Sequence, residues 1–430
     1  MTRRPFASGG EPRTRRGGLV ALLRIACIIS CIAFLVHAVT WAPRLTYGFA
    51  MYYTYARLVL TGETLAGVYG EEYFNAKVHE YGFDLRDEPN NLPTAALAYI
   101  PVAWPGPAAG KVLWTIASVA FFAWALMLLF RLSGIPPGGV PGLVLLTLVL
   151  LWHPGWQAVA LGQVYILLLL VFLLFIRWLP RSDALSGLFL GSAAIMKGYG
   201  AVPAVLLAVK GRWIVIGVSA VAALGVALAT LPWLGAESWK AFFGFVLTSL
   251  GSRSQDANVA YQTVNGFVRH LFTYDTAWLP HPLVVAPPWI IAVISIGANL
   301  LLILAAVLAF RKAGEGEQLL AYGGAIAAGV MTAPLAEEYH YVLLLPLLFG
   351  LAGKCAAWRM RGGRPGLPEA LGAAGALVAA APSATHALQD ASYPLVLLAY
   401  GKLGAGLALL GAAAFSIRRG LTNPPAADHA

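Results

Sequence analysis

Two carboxylates and a histidine lie close together in the stretch APLAEEYHYVLLLP (333–346). Glu337 and Glu338 come two or three residues before His340, where an apolar helix is expected to begin. A carboxylate can orient an imidazole or accept a proton itself, so this group suits general-base work. We therefore predict that the three residues form a catalytic site, although an exposed polar loop would have a similar composition.

A second acidic group lies in RDEPNNLP (86–93), where Asp87 and Glu88 precede two amides and a proline. Such composition is typical of a solvated turn. Its position just before an apolar segment nevertheless makes Asp87 and Glu88 the second candidate for the base. A third pair, Glu71 and Glu72, lies in a stretch more typical of a wet helix face.

One lysine, Lys197, lies inside apolar sequence, between the segments 185–196 and 199–209. A lysine at membrane depth is costly and usually functional, although a long side chain can also extend to the headgroups. We therefore predict that Lys197 belongs to a functional site that faces a cavity. Gln163 opens an apolar run close to His153, so it is a candidate either for capping the helix or for binding a sugar or phosphate.

The composition defines the setting in which these residues must work. Of 430 residues, 59% are hydrophobic and only 11% are charged, and the mean hydropathy is +0.73. A soluble core of this length cannot bury so much apolar side chain. The three cysteines suggest neither a disulfide framework nor a zinc site, and we expect no metal. The sequence predicts an all-α polytopic membrane protein.

The basic residues predict how the chain crosses the membrane. Residues 1–18 form a basic tail, and 19–41 form an apolar run long enough to span. Placing the later basic clusters inside gives about twelve transmembrane helices within a domain of residues 19–416, with a second cytoplasmic tail at 417–430. Both termini are then cytoplasmic, in the inner (plasma) membrane. The net charge of +10 thus reflects membrane topology, and no nucleic-acid partner is expected.

The same topology places two long loops outside, 42–92 and 234–285. Residues 93–104 are apolar but too short to span and are bounded by prolines, so we predict a re-entrant or interfacial helix there. Short apolar pairs such as 140–152 with 164–176 indicate an outward-facing cavity, since helices that stop inside a membrane need protein or water around them. The sequence has no nucleotide-binding motif.

At these residues the chain resembles glycosyltransferase family 87, the polyprenol-phosphate-mannose-dependent mannosyltransferases of the multispanning C-type (GT-C) superfamily. The resemblance covers about residues 45–346. It rests on six blocks in the family's order: YGFAMYYTYARLVLTG (47–62), NLPTAALAYIPVA (91–103), GQVYILLL (162–169), SGLFLGSAAIMKGYGAVP (186–203), YQTVNGFVRHLF (261–272) and APLAEEYHYVLLLP (333–346).

The resemblance implies a GT-C-like bundle that transfers a sugar, with mannose favoured, from a polyprenyl-phosphate donor to a lipid or glycan acceptor on the outer face. It implies direct displacement without a cofactor, in which Lys197 binds the donor phosphate with help from Arg253 or Arg269. The residues that would contact the sugar or the acceptor are then Asn91, His153, Gln163, Tyr165, Gln262 and Asn265. The sequence departs from the family at Gly48, where an aspartate thought to be the base is usual, and at Gln163-Val164-Tyr165, where Gln-x-Asn is usual. A transporter or flippase for lipid-linked sugars and a catalytically inactive relative remain alternatives. The sequence identifies neither the acceptor nor the oligomeric state.

Overall fold

The computed structural model describes residues 13–249, 252–253, 257–276, 279, 281–363, 366–388 and 391–422. Most of both predicted tails therefore lies outside the described residues. The described chain has no strand, and 76% of its described residues are helical. Its α-helices are α1 (Arg13–Trp41), α2 (Phe49–Thr61), α3 (Glu71–Glu80), α4 (Ile100–Ala103), α5 (Pro107–Ser133), α6 (Val140–Leu150), α7 (His153–Ala160), α8 (Tyr165–Trp178), α9 (Asp183–Lys197), α10 (Ala201–Val209), α11 (Trp213–Leu234), α12 (Ala236–Thr248), α13 (Val264–Phe272), α14 (Pro288–Phe310), α15 (Gln318–Met331), α16 (Leu345–Met360), α17 (Leu367–Ala380), α18 (Thr385–Leu388) and α19 (Gly401–Thr422).

Short 3₁₀ helices join several of these elements. They are Ala66–Tyr69, Pro93–Ala98, Glu315–Glu317, Glu338–Leu344 and Leu395–Tyr400. The predicted re-entrant segment 93–104 is thus divided between the 3₁₀ helix Pro93–Ala98 and the single turn of α4. Whether it enters a membrane stays a prediction.

Several helices are long and apolar enough to cross a membrane. Six helical stretches of the described chain meet this test by length and composition, and α6 with α7, bent by 42°, would make a seventh. α8 and α17 are apolar but shorter. The chain is therefore a multi-pass membrane protein, whereas the count of about twelve spans and their orientation stay predictions.

The burial pattern separates a protein core from an apolar periphery. α8, α15 and the 3₁₀ helix Glu338–Leu344 are almost entirely buried. By contrast, Val221 on α11 is 73% exposed and Leu301 on α14 is 69% exposed. Large apolar side chains that stay uncovered over whole helices are compatible with lipid but not with water. The central elements are also the ones that carry the candidate site.

Glycines allow α9 to lie directly against α11. A β-carbon at Gly187 would lie 2.7 Å from the carbonyl oxygen of Val215, and one at Gly191 would lie 2.5 Å from that of Ser219. This Gly-x-x-x-Gly spacing brings helix backbones together where side chains would keep them apart. The close packing of α9 fixes the position of Lys197, its last residue.

Candidate functional site

A cavity of about 720 Å³ lies where the loop after α3 meets the start of α8, the end of α9 and the segment before α16. Eight of the predicted site residues line it: Asp87, Glu88, Asn91, Gln163, Tyr165, Lys197, Glu337 and His340. Residues far apart in the sequence thus share one wall. That the cavity faces outward stays a prediction.

Asp87 is held at the N-terminus of α2. Its Oδ2 accepts hydrogen bonds from the backbone N–H groups of Gly48 and Met51, the latter at 3.1 Å, and its Oδ1 accepts from Glu88 N at 2.9 Å. Asp87 N donates to Asn75 Oδ1 on α3 at 3.0 Å. The first N–H groups of a helix lack partners within the helix, so they bind a carboxylate well. These bonds give the Asp87 carboxylate a fixed place on the wall.

Gly48 leaves no room for a side chain of its own. Its φ is +79° and its ψ is −58°, a conformation that residues with a β-carbon rarely adopt. A β-carbon there would lie 2.0 Å from Gln163 Nε2. Gln163 therefore occupies the space that an aspartate at this position would need.

Lys197 faces the cavity without a carboxylate partner within the described chain. Its Nζ donates to Asn91 Oδ1, and it lies 5.7 Å and 5.3 Å from the ring centres of Tyr52 and Tyr165. Aromatic faces attract a cation but do not neutralise it. The ammonium is therefore placed to bind an anion that enters the cavity.

His340 connects the segment before α16 to the start of α8. Its Nδ1 lies 3.1 Å from the carbonyl oxygen of Glu337, and its Nε2 contacts the Tyr165 hydroxyl. Since a carbonyl oxygen can only accept, Nδ1 carries the hydrogen, and Nε2 of the neutral ring accepts from Tyr165. Both nitrogens are thus engaged, an arrangement that favours a positioning role for His340, while its predicted catalytic role stays a prediction.

Two carboxyls on the cavity wall have altered acidity. Burial away from bulk water raises the pKa of Asp87 to about 6, against the lowering effect of its three backbone N–H donors. Burial also raises the pKa of Glu337 to about 7, and the nearby charges of Asp87 and Glu88 add to this while Lys197 opposes it. Both carboxyls therefore titrate close to neutral pH, as a general base should.

Glu338 does not line this cavity, in contrast to its neighbour Glu337. Its Oε1 lies 2.7 Å from Lys402 Nζ and 2.8 Å from His153 Nδ1, and its Oε2 accepts from Ser383 Oγ at 2.7 Å. Consecutive residues at the start of a helical turn point in different directions, which separates the two acids. The placement disfavours the roles predicted for Glu338 and His153, because these side chains serve an internal ion-pair cluster.

Four other candidates also lie off the cavity wall. Gln262 is fully buried and bonds to backbone, including Ala399 O at 2.9 Å, and Asn265 Nδ2 donates to Pro334 O at 3.2 Å. Arg253 Nη2 lies 3.3 Å from Glu88 Oε2, and Arg269 donates to the carbonyl of Ser252. Their predicted roles in phosphate and sugar binding therefore lack support from position.

The structure makes several residues prominent that the sequence patterns did not indicate. Tyr47, Tyr199, Tyr261 and Tyr339 line the cavity, and aromatic faces are suited to sugar rings. Tyr199 lies two residues after Lys197, and Tyr339 lies between Glu338 and His340. Their proximity in the sequence to these predicted site residues could have indicated both. Lys402 was also missed, although a lysine within an apolar run is itself a signal.

Within the described residues, no group of three or more His, Cys, Asp or Glu could hold a metal ion.

A comparison with known protein families matches residues 92–337 to glycosyltransferase family 87. The chain belongs to glycosyltransferase family 87. The match covers more than half of the chain, and it includes Gln163, Lys197 and Glu337. No curated protein and no solved structure matches.

Membership of glycosyltransferase family 87 confirms the family suggested by the sequence and shows a membrane glycosyltransferase in general terms. Gly48 and Asp87 lie before the matched range, and His340 lies just after it. The unusual arrangement at Gly48 therefore lies in a part of the chain that the family comparison does not cover.

Proposed function

We propose that this protein transfers a sugar, with mannose favoured, from a polyprenyl-phosphate donor to a lipid or glycan acceptor at the outer face of the membrane. The observation that carries the proposal is a cation, Lys197, in one cavity with two carboxyls, Asp87 and Glu337. Such a site can stabilise a departing phosphate and remove a proton from a hydroxyl group.

The leaving group of this reaction is the lipid phosphate. As the bond between the anomeric carbon and the phosphate oxygen breaks, negative charge grows on that oxygen. Lys197 stabilises this charge, and its effect is strong because little water competes inside the cavity. The apolar side chains of Val202, Phe242 and Ile303 also line the cavity and suit the first isoprene units of the donor.

The acceptor hydroxyl attacks the anomeric carbon from the opposite side and loses its proton to a carboxylate. This direct displacement inverts the configuration of the sugar. The phosphate ester already activates the donor, so the proposal includes no nucleotide, cofactor or metal. Tyrosine rings on the wall, among them Tyr165 and Tyr339, contact the sugar.

The test is the replacement Lys197→Ala. Membranes that contain the protein are supplied with radiolabelled polyprenyl-phosphate mannose, and label in lipid and glycan products is measured at matched expression. Lys197→Ala should lower transfer about 10²–10³-fold, as removal of one charge-stabilising donor does in other enzymes. Lys197→Arg should retain part of the activity because the charge remains.

Lys240 supplies a matched control, since it lies on α12 with its side chain 80% exposed and pairs only loosely with Glu237. Lys240→Ala should transfer at the parental rate. Parental activity in Lys197→Ala would overturn the assignment of the phosphate site. A wild-type protein that binds the donor but transfers no sugar would favour the inactive relative, for which the missing side chain at Gly48 is the supporting observation.

A further inference from the structure

The backbone at the start of α2 presents a carboxylate that belongs to a different segment of the chain. Gly48 N and Met51 N both donate to Asp87 Oδ2, so the carboxylate lies beside residue 48 although it comes from the loop after α3. Asn75 on α3 anchors the backbone of the same loop. The carboxylate is thus held from both sides, by α2 and by its own loop.

The residue types around Gly48 depend on one another. A side chain at position 48 is excluded by the positive φ and by Gln163, whose Nε2 would lie 2.0 Å from the added β-carbon. An acid next to this turn can therefore come only from another segment. Asp87 is the acid that hydrogen-bonds to the turn within the described chain.

We propose that Asp87 is the base that takes the proton of the acceptor hydroxyl, acting from its place beside Gly48. The inference rests on the function proposed above. The acceptor oxygen forms a bond to the anomeric carbon while the bond to the phosphate oxygen breaks and its electron pair leaves with the lipid phosphate. The acceptor proton moves to the lone pair of Asp87 Oδ1 that Glu88 N does not use, and Lys197 faces the departing phosphate.

Geometry favours Asp87 over Glu337, the other carboxyl on the wall. Three backbone N–H groups fix Asp87, and fixed placement of a catalytic group is worth a large part of a reaction barrier. The Glu337 carboxylate accepts one hydrogen bond within the described part of the chain, from the Tyr339 hydroxyl at 3.0 Å. Burial raises the pKa of both carboxyls toward neutral pH, so the choice between them rests on these contacts.

The replacement Asp87→Asn separates the base from a purely structural role. The amide oxygen of asparagine can still accept the hydrogen bonds from α2, but the amide cannot take a proton. Transfer from polyprenyl-phosphate mannose should fall about 10²–10⁴-fold, the usual contribution of a general base. Binding of farnesyl phosphate, a short polyprenyl monophosphate, should be unchanged within a factor of about three.

Asp84→Asn is the matched control, because Asp84 is an exposed acid three residues earlier on the same loop and does not line the cavity. It should transfer at the parental rate.

In the wild type, kcat/KM should rise with pH through about 6, and Asp87→Asn should lose this rise. The charged and titratable groups that act on Asp87 or respond to its charge in this region are Glu88, Glu337, Lys197, Tyr47, Tyr52 and Tyr55.

Three results would overturn the inference. Transfer by Asp87→Asn within threefold of the wild type, together with a large loss in Glu337→Gln, would assign the base to Glu337. Loss of farnesyl phosphate binding or of thermal stability in Asp87→Asn would assign Asp87 a structural role. Failure of the wild type itself to transfer sugar from polyprenyl-phosphate sugars would refute the proposed function. The variants, by contrast, test only which residue is the base.

Discussion

Replacing Lys402 by methionine should destabilise the protein, because it leaves a buried carboxylate without its main counter-charge. Lys402 lies one residue into α19, and its side chain is 1% exposed, while that of Glu338 is 7% exposed. Its Nζ lies 2.7 Å from Glu338 Oε1. It also donates to the carbonyls of Ala379, at 2.8 Å, and Ala381, at the end of α17. One ammonium therefore joins three segments next to the candidate site.

The size of the effect follows from what each replacement leaves behind. Removing one partner of a buried ion pair costs about 3–5 kcal/mol. Glu338 keeps its contacts with His153 and Ser383. We therefore expect Lys402→Met to lower the free energy of unfolding by about 3 kcal/mol, the lower end of that range. Glu338→Gln should cost less, since Lys402 keeps two carbonyl acceptors at a helix C-terminus, where a cation is favoured.

The assay is thermal unfolding in detergent, followed by tryptophan fluorescence at one scan rate because unfolding of such proteins is often irreversible. Lys402→Met should lower the apparent Tm by roughly 5 °C. The Tm of the double variant Lys402→Met/Glu338→Gln should decrease by less than the sum of the decreases in the two single variants, since residues in contact are energetically coupled. Lys240→Met, in an exposed pair, is the control and should shift the Tm by less than about 1 °C. An unchanged Tm in Lys402→Met, or strict additivity in the double variant, would refute the reasoning.

Two further predictions concern the cavity wall. Gly48→Ala should lower the Tm by an amount equivalent to about 1–3 kcal/mol, because it strains the backbone and displaces Gln163; a neutral effect would contradict the contact described. The pKa of Glu337 rises from 4.5 to about 7 on folding, so the folded chain binds the extra proton and loses stability as pH rises between these values. The variant Glu337→Gln lacks this pH-dependent loss of stability. The Tm of the variant minus the Tm of the wild type should therefore increase from pH 4.5 to pH 7. A Tm difference that stays constant over this range would contradict the raised pKa of Glu337.

The sequence by itself determined the class of the protein and part of the site. Its apolar content excluded a soluble fold. Long apolar runs located helices such as α5 and α11 within a few residues, because a helix that spans a membrane needs a continuous apolar run of about 20 residues. Lys197 could be selected in the same way, since a cation inside apolar sequence is rare. The motifs also identified the family, which the comparison with known families confirmed.

Only the tertiary structure decided which acids meet. Glu337 and Glu338 are adjacent in the sequence, yet one lines the cavity and the other joins Lys402, because successive side chains of a helical turn diverge. Conversely, Asp87 and Gly48 are far apart in the sequence and in contact in the fold. Composition and periodicity report how each segment partitions between lipid and protein. They carry no information on which loop closes over which helix end, and that long-range choice places a carboxylate beside the glycine.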